Sequence, residues 1–105
     1  MTYYAHVVDV AAPVAVYDAT HTELLRRTGG HVHGLIVHLC RATESGFQVL
    51  EVWTDRAAYE RADRELVAPI LAEQATPASD APILGPRVEE FAVHGLVVTA
   101  SGIAM

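Results

Sequence analysis

The chain has 105 residues, 51% of them hydrophobic, a formal net charge of −6 and one cysteine, Cys40. That length supports a single domain over 1–105, and the apolar content excludes a disordered chain. The acidic balance argues against nucleic acid and anionic membranes as partners, a lone cysteine forbids an internal disulfide, and the absence of lysine removes Schiff-base chemistry.

No apolar run reaches the about 18 residues of a membrane span, and no basic segment leads into an apolar core at the N-terminus. A cytoplasmic location is expected.

Tyr3 to Val10 is rich in β-branched and aromatic residues and reads as the first strand. Pro13 suits a helix's first turn, and Val14, Tyr17, His21, Leu24 and Leu25 recur at helical spacing until Gly29-Gly30 ends the run. His31 to Arg41 reads as the second strand, Ala42 to Ser45 with Gly46 as turn chemistry, and Phe47 to Trp53 as the third strand. Thr54 is the expected N-cap of a second helix, with Asp55 placed against its dipole. Its apolar stripe is Tyr59, Ala62, Leu66, Val67 and Ile70, and Pro69 is expected to kink or split it. Gln74 to Pro86 reads as a surface loop, and Arg87 to Thr99 as the fourth strand.

The order β-α-β-β-α-β specifies an α+β, ferredoxin-like fold: a four-stranded antiparallel sheet with two helices on one face. Strands two, three and four carry apolar residues on both faces, such as Leu35, Val37 and Leu39 against Ile36 and Cys40. Two helices cover only one face, so the other is expected to pack on a second copy of the chain as a homodimer.

Gly34-Leu35-Ile36-Val37-His38, Gly46-Phe47-Gln48-Val49-Leu50-Glu51-Val52-Trp53 and the following Thr54-Asp55-Arg56-Ala57-Ala58-Tyr59-Glu60-Arg61 give the chain a family likeness. It resembles the dimeric α+β barrel superfamily, and within it the antibiotic biosynthesis monooxygenase-like group. The resemblance covers nearly the whole chain and implies one of several chemistries, among them cofactor-free oxygenase, polyketide cyclase, lactone isomerase and haem degradation. Haem-degrading relatives pair a strand-three tryptophan, matched by Trp53, with an asparagine on strand one and a histidine in helix two. This chain has no asparagine, and no histidine between Trp53 and His94, which disfavours that activity. His6 matches the strand-one histidine of some polyketide cyclases, but the helix-two partner is missing.

Glu51 lies between Val49 and Trp53 on one strand face. Desolvation there is expected to raise its pKa and suit it to general acid or base work; the competing reading is a carboxylate paired with arginine. If Ala42 to Ser45 form a four-residue turn, His38 faces Val49, Ile36 faces Glu51 and Gly34 faces Trp53. His38, Glu51 and Trp53 then share a face, with His38 diagonal to Glu51 and a hollow beside the indole at Gly34; a one-residue slip would undo this.

His38, Glu51 and His94 are the expected catalytic residues. His6, Tyr17, His21, Trp53 and Tyr59 are expected to contact substrate. His31-x-His33 puts two imidazoles on one strand face without a third ligand, so no metal is expected. The expected activity is cofactor-independent oxygenation of an aromatic or polyketide-type substrate by proton abstraction in an apolar pocket between sheet and helices. The alternatives are a non-redox cyclase or isomerase, and a small hydrophobic ligand-binding protein.

Overall fold

The computed structural model describes residues 3–74 and 87–99. Its elements follow the expected order: β1 (Tyr4–Val10), α1 (Val14–Thr28), β2 (Leu35–Ala42), β3 (Phe47–Trp53), α2 (Arg56–Ala62), a π turn (Asp63–Val67), α3 (Ala68–Gln74) and β4 (Arg87–Ala92). All pairings are antiparallel in the spatial order β2-β3-β1-β4. This is the ferredoxin-like α+β arrangement, with α2, the π turn and α3 forming one helical run. The loop expected over Gln74–Pro86 lies, beyond Gln74, outside the described residues. No helix among the described residues is long and apolar enough to cross a membrane.

Local chemistry explains the element ends. Gly29, at φ 66°, closes α1 in the left-handed conformation and returns its N–H to Leu25 O at 2.8 Å. The cap of α2 is Asp55 rather than Thr54: its Oδ1 accepts Ala58 N–H at 2.8 Å. The interruption expected at Pro69 takes the form of a π turn just before it, which divides the run into α2 and α3, with Ala68 N–H reaching back five residues to Asp63 O.

Two sequence expectations need correction. β2 begins at Leu35, so His31 and His33 lie in the exposed connection before it and do not share a strand face. β4 ends at Ala92, which leaves His94 exposed two residues beyond it.

The hairpin tip decides the register. Ala42 opposes Phe47, and Thr43 and Gly46 exchange backbone hydrogen bonds across a tip of Glu44 and Ser45. The registry is therefore two units away from the expected one. From Val37 to Ala42 a shift of two keeps each side chain on its expected face and turns the His38–Glu51 diagonal into a direct opposition. A bulge between Leu35 and Val37 brings Leu35 opposite Trp53, onto the helix-covered face instead of the one expected for it. Gly34 opens no hollow. It sits at φ 84°, where an added Cβ would lie 2.5 Å from Ala58 Cβ, and its carbonyl accepts Thr54 N–H at 2.8 Å.

The helices cover the face that carries His6, His38, Glu51 and Trp53. Trp53, Ala58 and Ala62 form its buried nucleus, with Tyr4, Val32, Leu35, Tyr59 and Leu66 packed around. By strand alternation the opposite face presents Val7, Val37, Leu39, Leu50 and Phe91. Leu39 is 49% exposed and Phe91 41%. That face is not apolar throughout: at one end Arg41 donates to Gln48 and Gln48 to Asp9, a polar ladder across three strands.

Candidate functional site

One row of side chains crosses the whole sheet. His38 of β2 opposes Glu51 of β3, Glu51 opposes His6 of β1, and His6 opposes Glu90 of β4. Directly opposed residues share a face. Two imidazoles therefore flank one carboxylate under the helices, and a second carboxylate stands at the edge.

Glu51 is the hub. Its Oε2 lies 2.6 Å from His38 Nδ1. Its Oε1 lies 2.9 Å from His6 Nε2 and accepts Trp53 Nε1–H at 3.2 Å. Burial acts to raise the Glu51 pKa, as the sequence led us to expect. The hydrogen bonds from His38 and then His6 outweigh it and hold the carboxyl down at about 2. The expected upward shift is thus reversed. Glu51 is an ionised acceptor at neutral pH, an orienting group for histidine rather than a proton carrier.

An ionised carboxylate has only lone pairs to offer, so His38 Nδ1 and His6 Nε2 must each carry hydrogen. Neutral His38 then presents a bare Nε2. Helix α1 brings Tyr17 to that atom: Tyr17 OH is 2.6 Å from His38 Nε2 and 3.1 Å from His21 Nδ1, one helical turn along. The three rings are parallel within 18°, with centroids 5.1–5.9 Å apart. Burial first, then the nearby Cys40 and Glu51, raises the Tyr17 pKa to about 12, so Tyr17 is a firm O–H donor.

The other arm runs outward. His6 Nδ1 lies 3.1 Å from Tyr4 OH, Tyr4 donates to Glu90 Oε1 at 3.1 Å, and Glu90 Oε2 accepts from Arg56 at 2.9 Å. His6 is 2% exposed, while the His38 side chain is 22% exposed. Solvent therefore reaches the site more readily from the His38 side.

Of the expected site residues, the structure joins His6, Tyr17, His21, His38, Glu51 and Trp53 in one hydrogen-bonded chain. Tyr59 packs on His6 at 4.6 Å and on Trp53 at 5.7 Å between ring centroids. His94 is not brought in: it stands exposed past the end of β4. His6 and Trp53 are too buried to form an open wall, and the space expected as a pocket above His38 is occupied by Tyr17 and His21. A shallow cleft of about 420 Å³ lies at the outer arm, lined by Tyr3, Tyr4, Arg56, Glu90, Phe91 and Ala92. Tyr4 and Glu90 were absent from the sequence reading. The signal available for Glu90 was a charged residue between Val88 and Ala92 on an otherwise apolar inward face.

The chain is similar to the crystal structure of NE2512, a protein of unknown function from Nitrosomonas europaea. The two share 18% sequence identity over 96% of this chain and 98% of that one, with a TM-score of 0.69. At that identity the likeness speaks for the fold alone. No family model matches the sequence, and no curated protein matches it.

Proposed function

We propose that the protein is a proton-abstracting enzyme in which His38 Nε2 is the base. The observation that carries this is the Tyr17–His38–Glu51 line. The ionised carboxylate fixes hydrogen on Nδ1, leaves Nε2 as the acceptor, and stabilises the imidazolium formed when that nitrogen takes a proton. A substrate O–H or activated C–H would take the place of the Tyr17 hydroxyl, and Tyr17 could then hydrogen-bond the anion left behind.

The resemblance to the antibiotic biosynthesis monooxygenase-like group of the dimeric α+β barrels extends this to oxygen. The carbanion from an activated methylene can add O₂ to give a peroxide, which His38 reprotonates. Loss of water then leaves a ketone, so that CH₂ and O₂ become C=O and H₂O without a bound cofactor. An aromatic or polyketide-type substrate suits the flat ring cluster at Tyr17, His21 and His38.

The test is base-catalysed exchange. Phenols bearing activated methylenes and cyclic 1,3-diketones are incubated with the protein in D₂O and followed by proton NMR. His38→Gln is expected to exchange at least about 100-fold more slowly than wild type. Exchange no faster than in buffer, or equal rates in both proteins, would overturn the assignment. Turnover without oxygen uptake would move the reading to a non-redox cyclase or isomerase.

The open sheet face supports a homodimer, because Leu39 and Phe91 leave apolar surface on it. Light scattering at micromolar concentration is expected to give twice the chain mass, and Leu39→Arg to give the single-chain mass. A wild-type monomer would sink the dimer.

A further inference from the structure

Glu51 is one carboxylate between two histidines, and hydrogen counting distinguishes them. Tyr4 has a single hydroxyl hydrogen and two neighbours at 3.1 Å, Glu90 Oε1 and His6 Nδ1. Glu90 is ion-paired with Arg56 and so acts as an acceptor, which takes the Tyr4 hydrogen. His6 Nδ1 would then face a phenol oxygen lone pair to lone pair unless it also carries hydrogen. With hydrogen on both ring nitrogens, His6 donates from Nε2 to Glu51 and from Nδ1 to Tyr4, and both contacts are filled. This fits a network in which no buried side-chain nitrogen or oxygen among the described residues lacks a partner.

We propose that the two histidines divide the work, His6 being the doubly protonated positioning residue that balances the Glu51 charge and His38 the neutral partner left with a bare nitrogen. The base role of His38 rests on the function proposed above; the division of hydrogens does not.

Charge balance points the same way. His6 is 2% exposed and the Glu51 side chain 15%. One cation on one anion leaves this buried pair neutral, whereas a second imidazolium at His38 would leave a net charge under the helices. The groups facing His6 are Glu51 from β3, Tyr4 on its own strand, Tyr59 from α2, and Glu90 with Arg56 behind Tyr4. On the far side the Tyr17 hydroxyl from α1 has two imidazole neighbours, His38 Nε2 at 2.6 Å and His21 Nδ1 at 3.1 Å; its single hydrogen goes to the shorter contact, where a neutral His38 supplies the acceptor. Two residues of one type, one hydrogen bond away from the same carboxylate, are thereby set to different tasks.

Nitrogen-15 NMR of uniformly labelled protein at neutral pH reads the hydrogens directly. The His6 ring is expected to show two protonated nitrogens, and the His38 ring one protonated Nδ1 and one bare Nε2. In Tyr4→Phe the acceptor of the second hydrogen is gone, and His6 is expected to lose one N–H signal, whereas Tyr17→Phe should leave the His6 pattern unchanged. A wild-type spectrum with a singly protonated His6, or with the second hydrogen on His38, would overturn the proposal without recourse to any variant. The readout needs no substrate, so failure of the exchange experiment and failure of this one are separable.

Discussion

Glu51→Gln is expected to cost about 3 kcal/mol of folding stability at neutral pH and to abolish proton abstraction. The stability loss follows from the hub. Three N–H donors converge on the carboxylate, from His6, His38 and Trp53. A carboxamide keeps one acceptor oxygen and puts an NH₂ group where the other was. If the oxygen stays with His6 and Trp53, the NH₂ meets His38 Nδ1–H, and His38 must move its hydrogen to Nε2. Tyr17 then faces a donor instead of an acceptor, so the one bare nitrogen of the site is lost.

The same residue sets an acid transition. The folded Glu51 pKa, about 2, lies below the ordinary 4.5. A carboxyl depressed on folding contributes stability that is fully present above the ordinary value and is lost as pH falls toward the folded value. Over this window the shift corresponds to about 3 kcal/mol, since each unit is worth about 1.4 kcal/mol. Urea unfolding at pH 7 and pH 3 checks both parts. Wild type should lose more stability between these pH values than Glu51→Gln does. Glu23 in α1 is also depressed, by its hydrogen bonds to Arg26 and Arg27, but it is present in both proteins and cancels in the comparison. Equal acid sensitivity in the two proteins would show that Glu51 is not the responsible group.

Gly46→Ala is the second large effect. A Cβ at this position would lie 2.0 Å from Val10 O and 2.8 Å from both Ala12 N and Ala12 O. All three are backbone atoms where β1 ends and the chain turns toward α1, and backbone does not yield as a flexible side-chain end does. Relief requires the β2–β3 tip to separate from β1, with loss of the Val10–Phe47 pairing. The expected cost is about 3 kcal/mol, at the upper end of overpacking penalties. Ser45→Ala, at the exposed tip next door, should change stability by no more than about 0.5 kcal/mol. Thermal unfolding of the two variants measures the difference, and a Gly46→Ala protein as stable as wild type would mean that the tip is not seated under β1.

The hairpin also marks how far the sequence could be read. β3 matched its expected bounds because Phe47 to Trp53 is an uninterrupted β-forming run between turn residues. His38, Glu51 and Trp53 fell on one face because a four-residue connection fixes parity, even though the tip lies one residue further along. His6 opposite Glu51 could not be placed, since that pairing joins strands separated by α1 and the hairpin, and no local turn sets its register. Glu90 depends on a still longer connection through the second helix. The direction of the Glu51 pKa shift is hidden for the same reason: its apolar neighbours are visible along the strand, but the histidines that reverse the shift sit on other strands. The N-cap is a local exception: the sequence points to Thr54, and its neighbour Asp55 makes the bond.

Helix α1 contributes Tyr17 and His21, yet none of its residues is buried. Beside the half-buried Leu24 and Leu25, polar links tie it to the rest of the domain: Tyr17 to His38, Thr20 to Gln74, Gln74 to Ala19 O, and Arg27 to Glu73. An element held this way opens at a lower free energy than the sheet beneath it. Its backbone amides should therefore trade hydrogen for deuterium sooner than those of β1 and β3. The space over His38, filled by Tyr17 and His21, is then expected to widen when this helix opens.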